Sequence, residues 1–148
     1  MFKSLISILE NTGYNLLSLL MRIYLFSIFF TSGNNKLNNL WQGDWQQTVD
    51  LFIDVHPVPY IPPEIAAIFG TSAEVIFAAL LLMGLCTRFA SLGLLAVTAV
   101  IELSFRFIDP QYITFEAHIM WGLLLAALLC KGAGAFSVDW LLFSKKSN

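Results

Sequence analysis

Residues 65–85 read IAAIFGTSAEVIFAALLLMGL, an apolar run whose single ionisable residue, Glu74, is its tenth. A helix rises about 1.5 Å per residue, so about twenty apolar residues cross a hydrocarbon core of about 30 Å. Glu74 therefore falls near the middle of a crossing. An ionisable group there costs roughly 2.5–3.5 kcal/mol and turns toward the bundle interior and a partner. The expected partner is Arg22, near the centre of the first apolar run, Tyr14–Thr31. The sequence thus predicts a structural ion pair, Arg22–Glu74, joining two helices deep in lipid. Ligand or proton handling by the same two groups is the alternative.

Composition agrees with a membrane setting. Of 148 residues, 57% are hydrophobic and 12% charged, with a mean hydropathy of +0.73. A soluble domain of this length needs more surface charge, so the chain reads as one small polytopic membrane domain over residues 1–148. A net charge of −2 and the lack of any basic block argue against nucleic acid as a partner. Cys86 and Cys130 match no zinc, CxxC or haem spacing, and no flavin or iron–sulfur motif is present.

Outward from the central run, residues 1–13 can form an amphipathic stretch lying at the membrane interface. A cleaved signal peptide is the rival reading. Arg22 interrupts its apolar core, and no clear cleavage site follows. The first span, about 14–31, is expected to end in the polar cluster Ser32-Gly33-Asn34-Asn35-Lys36. In the loop beyond it, Asp44 and Gln47 have capping-box spacing. Trp41, Trp45, Phe52 and Val55 then fall near one face, which suits an aromatic-rich helix flat on the membrane. His56-Pro57-Val58-Pro59 to Pro63 breaks that helix.

The remaining spans are about 65–85, 89–107 and 113–129, separated by Cys86-Thr87-Arg88 and by Asp109-Pro110. Lys131-Gly132-Ala133-Gly134 stops the last, and Val138–Phe143 forms a short closing segment. The expected fold is all-α, an integral membrane bundle of four transmembrane helices with an interfacial helix in its first external loop. Lys3, Arg88, Lys131, Lys145 and Lys146 share one side. The positive-inside rule makes that side cytoplasmic, with both termini on it, in a multi-pass cytoplasmic-membrane protein.

Depth sorts the candidate site residues. Arg22 and Glu74 lie near the midplane, and Glu102, Arg106, Glu116, His118 and Trp121 toward the outer half. Glu102 and Arg106 are four apart with the acid first, so they share a helix face and can pair. His118 and Trp121 are three apart and also share a face. Histidine is the residue type that exchanges protons or ligates metal near neutrality, but one histidine with two carboxylates is a weak metal signature. The pattern predicts a polar pocket opening outward. Each member has a plainer alternative: an interfacial pair for Glu102–Arg106, a helix start for Glu116, and a histidine satisfied by a neighbouring carboxylate for His118.

Several stretches resemble the DoxX family of small four-span bacterial membrane proteins. They are Arg22-Ile23-Tyr24-Leu25 with Ser32-Gly33 and Lys36-Leu37, Val58-Pro59 through Pro63-Glu64, Glu74 in a run ending Met83-Gly84-Leu85-Cys86-Thr87-Arg88, and Lys131-Gly132-Ala133-Gly134-Ala135-Phe136-Ser137-Val138-Asp139. The likeness covers about residues 16–142, with Ser27 where the family tends to have glycine. It implies an accessory or anchor subunit beside redox enzymes, linked to quinone, with electrons supplied by a protein partner. A quinone reading would use Arg22, Glu74 and His118 at the ring oxygens. A small transporter, a metal-handling protein or a purely structural partner of a soluble enzyme are the alternatives.

Overall fold

A computed structural model describes residues 12–113 and 116–143. Six α-helices order these residues: α1 (Tyr14–Trp41), α2 (Trp45–Asp54), α3 (Pro63–Met83), α4 (Thr87–Ile108), α5 (Glu116–Lys131) and α6 (Val138–Phe143). Among the described residues there is no strand. Helices α1, α3 and α4 are long and apolar enough to cross a membrane. The expected segment at residues 1–13 lies almost wholly outside the described residues, as do Lys145 and Lys146.

The first helix is the main departure from the sequence reading. It does not stop at Thr31 but runs on through Ser32–Lys36 to Trp41, 28 residues in all. The reason is a buried stripe that keeps helical spacing across the polar cluster: Ser18, Arg22, Leu25, Phe29, Gly33 and Lys36. Gly33 sits so close to α3 that a Cβ there would lie 2.7 Å from Val75 Cγ2. That contact sets the register of α1 against α3, which run antiparallel and pack on each other along most of their length. Small residues at such crossings let two backbones approach.

Pro63 opens α3, where its missing N–H costs nothing. The helix ends at Gly84 in the left-handed region, φ +67°. There the Leu85 N–H donates to Leu80 O and the Gly84 N–H to Leu81 O, the paired bonds of a Schellman ending. Asp139, at the start of α6, then accepts the backbone N–H groups of Cys86 (2.7 Å) and Thr87 (2.9 Å) and so caps α4. By contrast, Asp44 occupies the N-cap position of α2 without any side-chain cap bond. The capping box expected with Gln47 does not form; instead the Gln47 N–H donates to the Asp44 carbonyl.

The outer surface is far more apolar than that of a soluble protein. Ser18, Thr87, Ser91, Ala67, Ala78 and Ala90 are buried, whereas Leu16, Leu17, Leu20, Phe69, Ile76, Leu103 and Leu123 are more than half exposed. Small and hydroxyl residues at helix contacts, with large apolar residues outside, suit hydrocarbon as the surrounding solvent. The central core is Met21, Leu25, Phe29, Ala78, Leu81, Leu94, Leu125 and Leu128 from α1, α3, α4 and α5. A second cluster, Val49, Phe52, Ala66 and Ala67, seats α2 on the start of α3.

Candidate functional site

Glu74, twelve residues into α3, is 3% exposed. Its partner is Lys36, not Arg22: Lys36 Nζ lies 2.6 Å from Glu74 Oε2 and 3.0 Å from Ser32 Oγ. The expected Arg22–Glu74 pair is therefore corrected. Arg22 and Lys36 are fourteen residues apart on one helix, about 21 Å along its axis. With Gly33 fixing the register at Glu74 and Val75, Lys36 arrives at Glu74 while Arg22 arrives at the far end of α3. Two opposite charges remain buried together, as the cost of burial demands, but the cation is the one beyond the expected end of the first span.

Arg22 has a different task. It is fully buried, and it donates from Nη1 to Leu82 O (3.0 Å) and from Nη2 to Phe136 O (2.5 Å). On the same face of α1, Tyr14 Oη donates to Gly132 O and Ser18 Oγ to Ala133 O. Tyr14, Ser18 and Arg22 are four apart, so one helix stripe holds the carbonyls of the stretch after α5. The guanidinium fork serves as a structural clamp that joins α1, α3 and the segment leading into α6.

The outer cluster forms where α4 ends and α5 begins. His118 Nδ1 contacts Glu102 Oε1 closely, and Tyr112 Oη donates to the same oxygen at 3.2 Å. Glu102 Oε2 is buried without a hydrogen-bond partner. Rings close around this group. His118 lies 4.9 Å from Trp121 and 6.3 Å from Phe105, centroid to centroid, with the Phe105 ring nearly parallel. Phe29 meets Trp121 edge-on at 5.6 Å, and His56 meets Phe105 at 5.2 Å. Arg106 is exposed in the last turn of α4, and Glu116 is exposed in the first turn of α5.

These residues wall a cavity of about 220 Å³ that includes Phe29, His56, Glu74, Phe105, His118 and Trp121. The structure thus brings Glu74, His118 and Trp121 to one space, with Glu102 behind His118, and leaves Arg22 outside it. Trp121 Nε1 and His56 Nδ1 are buried and have no hydrogen-bond partner. A second, largely apolar cavity of about 300 Å³ adjoins the first and shares His56, Glu74 and Ile101 with it. No group of three or more His, Cys, Asp or Glu side chains placed to hold a metal ion occurs among the described residues.

Sequence reasoning passed over Lys36 and His56. Lys36 looked like a loop residue, yet the seven-residue repeat Phe29–Lys36 on the buried stripe was visible in the sequence. His56 follows α2 in a proline-rich stretch that reads as flexible. It is held by Phe52 and Phe105, contacts that no local signal announces.

The chain is 29% identical over 141 residues to an uncharacterized protein of Haemophilus influenzae, an alignment covering 90% of this chain and 88% of that one. No solved structure matches it. The family model described as DoxX matches residues 17–106, which is more than half of the chain and takes in α1 through most of α4. On that match, this membrane protein belongs to the DoxX family.

Proposed function

We propose that this protein is a multi-pass subunit of the bacterial cytoplasmic membrane that holds a quinone-type ring in the polar cavity, as accessory or anchor to a redox partner that supplies the electrons. The observation that carries the reading is the Trp121 indole N–H, a buried and unpaired donor on a residue that lines the cavity. Such a donor costs about 1–3 kcal/mol, which a ring carbonyl would recover. Phe29 and Phe105 offer flat walls, and His56 adds a second polar side chain to the lining of the same space. Glu102 and His118 adjoin it as a pair able to give and take protons at the ring oxygens.

In this reading α5 is the fourth crossing. Its sixteen residues reach about 24 Å, most of the thickness of a hydrocarbon core. Helix α2 lies along the interface, with the exposed Trp41 just before it. The Lys and Arg distribution puts both termini in the cytoplasm, and the chain forms one membrane domain.

The test is binding of a tail-less benzoquinone to detergent-purified protein, alongside analysis of its organic extract. The wild type is expected to carry quinone from the membrane and to bind the ring. Trp121→Phe, which keeps an aromatic ring and removes the N–H, is expected to bind about threefold to tenfold more weakly with no loss of melting temperature. A quinone-free extract together with no binding would overturn the proposal.

A further inference from the structure

At the other end of the bundle from the polar cavity lies a wider, open space of about 950 Å³. The starts of α1 and α4, the end of α5 and the stretch from Lys131 into α6 bound it. Two cations line it, Arg88 and Lys131, and both are exposed. Each is held in place. Arg88 Nη2 donates to Cys130 O at 3.2 Å. Lys131 Nζ stands 4.8 Å from the centre of the Tyr14 ring, whose hydroxyl donates to Gly132 O. A Cβ on Gly132 would lie 3.8 Å from Arg88 Nε, so the guanidinium stands beside the residue that follows Lys131. Among the described residues neither cation forms an ion pair. Asp139 lines the same space, but both its oxygens accept the backbone N–H groups of Cys86 and Thr87. The carbonyl end of α5 offsets only about half a unit charge. Net positive charge remains, next to the exposed rings of Phe89, Trp140 and Phe143.

We propose that this space binds an anionic phospholipid of the surrounding bilayer, with Arg88 and Lys131 at the phosphate and the acyl chains against Phe89, Trp140 and Phe143. Charge complementarity favours this occupant. One N–H of Arg88 is committed to Cys130 O, which leaves the rest of the guanidinium fork for phosphate oxygens. Cations beside aromatic rings at the ends of membrane helices match the chemistry of the headgroup layer. Basic pockets between such helices hold phospholipid head groups. A soluble phosphate would meet the same two cations but leave the three exposed rings without a contact. A zwitterionic lipid would bring a cation of its own to a positive site. The space shares no lining residue with the polar cavity, so the proposal stands apart from the ring-binding reading.

The experiment titrates the detergent-purified full chain with phosphatidylglycerol and with phosphatidylcholine of identical oleoyl chains, and counts bound lipid by native mass spectrometry. The wild type is expected to bind phosphatidylglycerol at least about tenfold more tightly. Arg88→Gln and Lys131→Gln are each expected to weaken it about fivefold, and both together about twenty-fivefold, the share of one cation beside a membrane surface. Phosphatidylcholine binding should not move. Arg106→Gln makes the same charge change at the opposite end of α4 and should leave phosphatidylglycerol binding within about twofold. Melting temperatures without added lipid check the fold of each variant; should Arg88→Gln melt early, Lys131→Gln alone decides. Equal binding of the two lipids by the wild type overturns the proposal and leaves the cations to an acidic protein surface. Variants that bind phosphatidylglycerol as the wild type does, or an equal loss in Arg106→Gln, also overturn it. Competition by glycerol phosphate as strong as by phosphatidylglycerol overturns the lipid and assigns the site to a soluble phosphate.

Discussion

Lys36 Nζ stands 2.6 Å from Glu74 Oε2, with the two side chains 9% and 4% exposed. This pair joins α1 to α3; both residues line the larger, apolar cavity, and Glu74 lines the smaller one as well. Its burial means that neither charge tolerates the loss of the other.

Lys36→Met and Glu74→Ala are each expected to destabilise the protein by about 3–5 kcal/mol, because each strands a charge in low dielectric. Lys36→Met combined with Glu74→Leu is expected to recover most of that loss. Glu116→Ala, at an exposed position, serves as the tolerant control. Unfolding in mixed micelles measures all four. Additive losses in the double variant would show that the two groups do not depend on each other.

Arg22→Lys retains the charge but not the fork that reaches both Leu82 O and Phe136 O. It is expected to loosen the stretch from Gly132 to Ser137 while leaving the Lys36–Glu74 end intact. Limited proteolysis, or hydrogen exchange resolved by peptide, should show the change confined to that stretch. Faster exchange around Glu74 instead would contradict the clamp.

Gly84 and Gly122 make a paired test. Gly84 has φ +67°, and a Cβ there would lie 2.5 Å from Ser137 Cβ and 2.6 Å from Arg22 Nη1. Gly122 lies within α5 and has nothing within 4 Å of its Cβ position. Gly84→Ala is expected to lower the melting temperature clearly, through strain and displacement of Arg22. Gly122→Ala is expected to hold or raise it, since alanine gains about 0.8–1.0 kcal/mol over glycine inside a helix.

Acid should destabilise the fold through His56. Burial, with the positive fields of Lys36 and His118 adding to it, holds this imidazole below its ordinary value. The folded state then binds fewer protons than the unfolded chain around pH 6.5 and below. The stability due to neutral His56 is complete above that pH and is lost as pH falls through the folded value. Melting temperatures recorded from neutral pH downward should fall, and His56→Asn should flatten the slope. An unchanged slope in the variant would assign the effect to other groups.

Much of the architecture was legible in the chain. Glu74 at the centre of an apolar run, proline at the start of α3, and glycine at its end each state a local rule, and the helix found at Pro63–Met83 obeys them. The first span was misjudged because Ser32-Gly33-Asn34-Asn35-Lys36 satisfies the local signature of a loop. Helix continues through it because α3 covers Gly33 and neutralises Lys36, both of which are contacts at long range.

Composition and apolar periodicity by themselves determined that this is an all-helical membrane chain with a carboxylate in the middle of one helix, since hydrocarbon imposes those constraints residue by residue. Which cation meets that carboxylate depended on the sliding register of α1 against α3, set by one glycine contact. Likewise, the joining of His56 with His118 and Trp121 around one space depended on two distant segments, the stretch after α2 and α5, packing together. A helical pattern encodes which face is buried, but not what the neighbouring helix places opposite it, and only the assembled bundle resolves that choice.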